Sequence, residues 1–291
     1  MPERAPAVAD PRALAAAGVT VVLWASAFIG IRAAGRDLSA GPLTLGRLLV
    51  AALALGVLIG VTRARLPPRA DVPRLLVCGL LWFGAYNVLL NAAEQRIDAG
   101  TAAMLVNVGP VLIALLAGVL LKEGFPRTLV AGCAIAFGGA VVIGLATSER
   151  GVDAGWGAAL CVAAAAAYAG GVVAQKPLLE RTSGLQITFL ACVIGATACL
   201  PFAPTLVREL GEAPGGAVAW TVYLGIVPTA IGFTTWAYAL KRTTAGKLGA
   251  TTYLVPPITV LMGWAVLGET PPALALAGGA LCLAGVAVTR R

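Results

Sequence analysis

The chain has 291 residues, 59% of them apolar and only 12% charged, with a net charge of +8, and its mean hydropathy is +0.90. A soluble domain carries about 25% charged residues, so this composition excludes one and describes an integral membrane protein with little chain left for anything else. Lys and Arg in such a chain mark cytoplasmic loops, so the positive charge requires no nucleic-acid partner.

A spanning helix takes about 20 apolar residues. Charges and Pro/Gly clusters divide the chain into ten apolar stretches, at 13–33, 41–62, 73–93, 98–121, 127–146, 154–175, 184–206, 217–239, 245–268 and 271–289. None alternates like a barrel strand, and helices satisfy every backbone polar group in lipid. The expected fold is therefore all-α, with ten transmembrane helices. The first stretch carries Trp24 and Ser26. Its Ala25-Ser26-Ala27 imitates a leader cleavage site, but the apolar run continues through Ile31, which favours a span over a removed leader. The second stretch contains Arg47, about two turns inside its outer end. The third carries Trp82, Tyr86, Asn87 and Asn91, with Glu94 and Asp98 at its outer end as partners for Arg47 in a structural clamp.

Asn107 lies one turn before Pro110 in the fourth stretch, and Glu123 ends it. Tyr168 holds a place in the sixth stretch like that of Trp24 in the first. In the eighth, Pro228 stands alone, and Trp236 near the inner end reads as an interfacial anchor. The ninth has Tyr253 one turn before Pro256-Pro257 and closes on Glu269. The six cysteines all fall in apolar stretches, without Cys-x-x-Cys and without any His in the chain, so they read as packing residues and no metal or other cofactor is expected.

Laid over residues 245–288 at an offset of 146, residues 99–142 show twelve identities, including Pro110/Pro256, Glu123/Glu269, Pro126/Pro272, Gly132/Gly278 and Gly139/Gly285. The Pro, Glu and Gly matches are not a product of apolar composition, so a duplication is inferred. Each half, 13–146 and 154–289, holds five stretches, and an odd number forces the second half to enter the membrane from the opposite side. Inverted repeats that exchange conformations open a shared site to one face and then the other. Fifteen Lys and Arg fall on the side of both tails and five on the other, which places both termini, including the short tail 1–12, in the cytoplasm. Both prolines break their helices near mid-membrane, and with Glu123 and Glu269 at opposite faces they are the candidate kink and gate residues. The polar and aromatic groups at the same depth, Trp24, Ser26, Trp82, Tyr86, Asn87, Asn91, Asn107, Tyr168 and Tyr253, are the candidate substrate contacts. A cavity of that kind without a fixed central charge suits neutral or zwitterionic molecules such as amino acids. With no carboxylate or His at mid-depth, a facilitative carrier is expected. The paired glycines seven apart are expected to let helices approach closely.

Trp24-Ala-Ser26-Ala-Phe28 with Arg32, Pro42 followed by Arg47, Pro110 with Glu123 and Gly132, and then Trp236, Pro256, Gly268-Glu269 and Gly278 together resemble the drug/metabolite transporter superfamily. Within it the pattern is most similar to the ten-helix EamA-type exporters, and among these to the YddG-like amino-acid exporters, over Ala13 to Val288. The second half has no matching Trp-x-x-x-Phe opening. The resemblance implies export of amino acids or related metabolites through a bacterial-type inner membrane, from a cavity lined by the first, third, fourth, sixth, eighth and ninth helices. Related carriers of sugars, nucleosides, drugs or polyamines, with proton coupling, are the alternative. Partners are then a small-molecule substrate and the bilayer, with a monomer allowed. An intramembrane enzyme lacks its parts here: there is no G-x-S-x-G, no pair of intramembrane aspartates and no metal-ligand cluster. A channel would call for a continuous pore lined by rings of charge or carbonyls, whereas the repeat argues for a moving site.

Overall fold

The computed structural model describes residues 10–62, 67–120, 127–148, 152–243 and 245–289, and every regular element among them is helical. Helix α1 spans Pro11–Ala34, with the Asp10 carboxylate accepting from the Arg12 N–H at its start and proline in its first turn, where a missing N–H costs nothing. Helix α2 is Ala40–Thr62. Its Leu53, Val57 and Val61, one turn apart, are exposed, an apolar stripe of the kind a lipid-facing helix presents. Helix α3 runs Arg69–Glu94 and α4 Ala99–Leu120. The Asp98 carboxylate accepts from the Thr101 N–H and hydroxyl, both at 2.8 Å, and so starts α4. Next come α5, Arg127–Ser148, and α6, Val152–Leu178.

Helix α7, Gly184–Ala198, opens on a reciprocal cap between Ser183 and Gln186. The stretch 184–206, expected to form one continuous helix, is instead two arms with a break between them. The chain leaves α7 at Cys199, makes a tight turn over Leu200–Phe202 and enters α8, Ala203–Glu212, the two arms being bent by 55°. Pro201 and Pro204 cannot donate to the preceding turn. Glu209 of α8 then caps α2, accepting from the Ser39 N–H at 2.9 Å and its hydroxyl at 2.7 Å. Helix α9 is Gly215–Arg242, α10 covers residues 245–267, and α11 is Ala273–Thr289.

Six helices, α1, α2, α3, α4, α6 and α9, are long and apolar enough to cross a membrane, and α7 with the arm after it makes a seventh if the bent pair is one span. Shorter apolar stretches lie in α5, α10 and α11. Local irregularities recur at the offset read from the sequence. A π-helical turn widens α3 over Gly79–Ala85 and another widens α9 over Gly225–Ile231. Helix α4 loosens at Asn107 and Val108 just before Pro110, and α10 tightens into a 3₁₀ turn over Ala250–Leu254 just before Pro256.

Helices α5 and α11 run antiparallel in close contact. A methyl added at Gly139 would lie 2.6 Å from the Gly278 carbonyl oxygen, and one at Gly285 would lie 2.7 Å from that of Gly132. Between these contacts the Cys282 thiol donates to the Ala136 carbonyl at 3.1 Å. Backbones approach to this distance only where side chains are absent.

Candidate functional site

Where α1, α3, α6 and α9 converge, aromatic side chains form one cluster. Trp24 lies 6.0 Å from Trp82, 5.3 Å from Phe233 and 4.8 Å from Trp236 between ring centroids. Trp82 in turn lies 5.3 Å from Tyr168 and 4.8 Å from Phe233, and Tyr86 extends the cluster to within 5.9 Å of Tyr168. Such edge and tilted contacts are the favourable arrangement for rings. Glycines make room for them: a methyl at Gly171 would strike Trp82, and one at Gly109 would come within 2.5 Å of Tyr168.

Beside the cluster is an internal cavity of about 50 Å³, bounded by Trp24, Trp82, Tyr86 and Tyr168, by Arg47 and Asn87, and by Asn107 and Pro110 of α4. Thr252 and Val255 close it from α10. Ligand pockets usually measure about 300–1,000 Å³, so the space here is smaller than a typical ligand site. Its walls are apolar except at a few points. The Asn87 amide group donates to the Trp82 and Phe83 carbonyls, at 3.2 and 2.8 Å, which satisfies the widened turn of α3. This leaves the Asn87 side-chain oxygen buried without a partner, as are Asn107 Nδ2 and Trp24 Nε1. Native structures seldom leave such groups unpaired. Such groups around one cavity are ones that a ligand can satisfy.

Of the expected contacts, the structure brings Trp24, Trp82, Tyr86, Asn87, Asn107 and Tyr168 to the cavity, together with Pro110. It takes three elsewhere. The Ser26 hydroxyl is 2.7 Å from that of Tyr223 and donates to the Leu23 carbonyl, beside a separate side cavity. Asn91 donates to the Thr44 hydroxyl at 2.9 Å and ties α3 to α2. Tyr253 packs with Val111, Leu115 and Ala136, because the 3₁₀ turn rotates the helix phase so that Thr252 faces the cavity instead.

Two expectations are corrected outright. Trp236 is no interfacial anchor: it is 1% exposed and inside the aromatic cluster, because the π-helical turn of α9 carries it and Phe233 inward. Their i, i+3 spacing was the signal in the sequence. Arg47 makes no direct ion pair with Glu94 or Asp98 among the described residues, and Glu94 acts on it only at longer range. It is 3% exposed, lines the cavity, and donates from Nε and Nη2 to the Thr229 hydroxyl oxygen at 3.2 and 2.9 Å. Glu94 is buried at 1% exposure with neither carboxylate oxygen hydrogen-bonded. Glu123 lies outside the described residues.

Glu269 binds Arg32 of α1 at 2.9 Å, and the same guanidinium donates to the Glu94 backbone carbonyl at 2.6 Å. Arg32 thus ties the ends of α1 and α3 to the segment preceding α11. At the other end of the bundle the Lys176 ammonium donates to the Leu240 carbonyl at 2.6 Å, and Arg181 faces Asp71 at 3.9 Å. Pro256 begins the second α-helical arm of α10 within the bundle.

The model of the EamA-like transporter family matches the chain twice, over residues 12–145 and 155–291. A probable terminal-alkyne amino-acid exporter of Streptantibioticus cattleyicolor is 42% identical over 94% of this chain and 91% of its own length. The uncharacterized transporter YdfC of Bacillus subtilis is 31% identical over 92% and 87%, and a probable amino-acid metabolite efflux pump of Salmonella typhimurium is 25% identical over 92% and 91%. A solved crystal structure shares the fold, with a TM-score of 0.68 at 22% identity and 95% of each chain covered.

Proposed function

The chain belongs to the EamA-like transporter family, a family of transporters rather than enzymes, and from that premise we propose that it exports neutral amino acids and related small metabolites across a bacterial-type inner membrane. The observation that carries this reading is the central cavity, walled by aromatic rings and holding unpartnered polar atoms of Asn87, Asn107 and Trp24. Rings bury an apolar or aromatic side chain, while the isolated polar atoms meet the backbone groups of an amino acid. The name carried by the Streptantibioticus relative favours small, unsaturated side chains within the same class.

The carrier works by alternating access between two inverted five-span halves, 13–146 and 154–289, with both termini in the cytoplasm. Supporting this reading, the π-helical turns of α3 and α9 and the proline breaks of α4 and α10 recur at one offset. Helices α5 and α11 also pack antiparallel through equivalent residues. Two copies related by an axis in the membrane plane produce such a pattern.

Reconstituted vesicles loaded with unlabelled amino acid should accumulate external labelled leucine, phenylalanine or propargylglycine by counterflow, with saturation. Flux that is linear in concentration, or unaffected by internal amino acid, would rule out the carrier. Buried Glu94, with both oxygens unpartnered, favours a second reading in which flux is proton-coupled. Acidification of the vesicle exterior or interior in step with substrate movement would establish it over facilitation.

A further inference from the structure

Arg47 is a buried cation with no carboxylate within ion-pair distance among the described residues, and buried Glu94 acts on it only through its longer-range field. Glu94 keeps both carboxylate oxygens unbonded. Among the described residues the hydrogen-bond acceptor of Arg47 is the Thr229 hydroxyl. An isolated charge in such a place is costly unless something pairs with it.

The local chain explains how the guanidinium is held. Pro228 has no N–H to offer the Leu224 carbonyl one turn back, and the Thr229 hydroxyl donates to that carbonyl at 2.6 Å. With its single hydrogen committed, the hydroxyl oxygen can only accept, and it takes bonds from Nε and Nη2 of Arg47. One edge of the guanidinium is thereby fixed to the π-helical turn of α9. The Nη1 donors stay unused on a side chain that lines the central cavity.

We propose that Arg47 is the carboxylate anchor of the transport site. The assignment rests on the reading of the chain as an amino-acid exporter and specifies its substrates as α-carboxylates. The free edge of the guanidinium takes the carboxylate, for which its planar donor pairs are matched. The unpartnered Asn87 oxygen, an acceptor on the same cavity, takes the ammonium. A fixed cation beside the substrate repels polyamines and other cationic cargo, so the site selects zwitterions over amines of the same side chain.

The test is competition for labelled leucine counterflow by the full-length protein in vesicles. Competitors are leucine, leucinamide and isoamylamine, used with the wild type and with Arg47→Gln and Arg47→Lys. In the wild type, the amide and the amine should compete about 30-fold or more weakly than leucine, the range expected for losing a charge-assisted hydrogen-bond pair. Arg47→Gln should weaken leucine by a similar factor while moving leucinamide less than about 3-fold, and Arg47→Lys should fall between. The wild-type series needs no variant to fold. Equal competition by leucine and leucinamide overturns the anchor and leaves amino-acid export standing. Absence of counterflow with every amino acid tried overturns both.

Discussion

Trp24 on α1 and Trp236 on α9 lie with ring centroids 4.8 Å apart and planes inclined by 31°, although most of the chain separates them in sequence. Each helix comes from a different half, so the pair joins the halves beside the cavity. Truncating Trp236 to Ala should destabilise the protein by about 3–5 kcal/mol, as for other buried aromatics, while Trp236→Phe keeps most of that stability. Thermal unfolding in detergent measures both. An alanine variant as stable as wild type would show that the cluster does not hold the halves together.

The Arg32–Glu269 pair is partly exposed, with 27% and 22% of the two side chains accessible, so its worth to stability is about 1 kcal/mol or less. Its effect should appear in conformation instead. Glu269→Gln and Arg32→Gln should each raise the reactivity of a cysteine introduced at Ala103, on the cavity wall, toward a water-soluble thiol reagent. The double variant should add little to either. Additive increases would show that the two residues act separately.

Gly139 and Gly278 form a backbone contact that an alanine at either position would obstruct. Gly278→Ala should cost about 1–3 kcal/mol, the usual range for overpacking, and Gly139→Ala a comparable amount. The folded fraction, read by size-exclusion chromatography, should fall in both. Protein that remains folded should keep the wild-type order of substrate preference, because neither residue reaches the cavity.

Replacing Pro110 or Pro256 by Ala restores a backbone donor and straightens α4 or α10. Folding should be retained, and the maximal counterflow rate should fall several-fold while half-saturation changes less. An unchanged rate in both variants would remove these breaks from the transport cycle.

Glu94→Gln removes a buried charge whose oxygens have no hydrogen-bond partner. Stability should therefore hold or rise, by up to about 2 kcal/mol, in the same thermal assay. A loss of more than about 1 kcal/mol would mean that the carboxylate is compensated through a longer-range interaction with the arginines.

Apart from 184–206, which breaks after Ala198, the helix positions were legible along the chain to within a few residues, because the backbone of a long apolar run must bond to itself. The offset of 146 and the breaks at Pro110 and Pro256 were legible for the same local reason, since a missing N–H acts wherever proline stands. The direction in which a side chain points within the bundle was not. Two π-helical turns and one 3₁₀ turn shift helix phase, which no periodic reading of the residues anticipates. They carry Trp236 inward, Tyr253 outward and Arg47 to Thr229 rather than to an acidic partner. Those turns persist because neighbouring helices and side chains such as Asn87 and Thr229 supply the backbone bonds they forgo, so the lining of the cavity is settled by contacts between segments far apart in the chain.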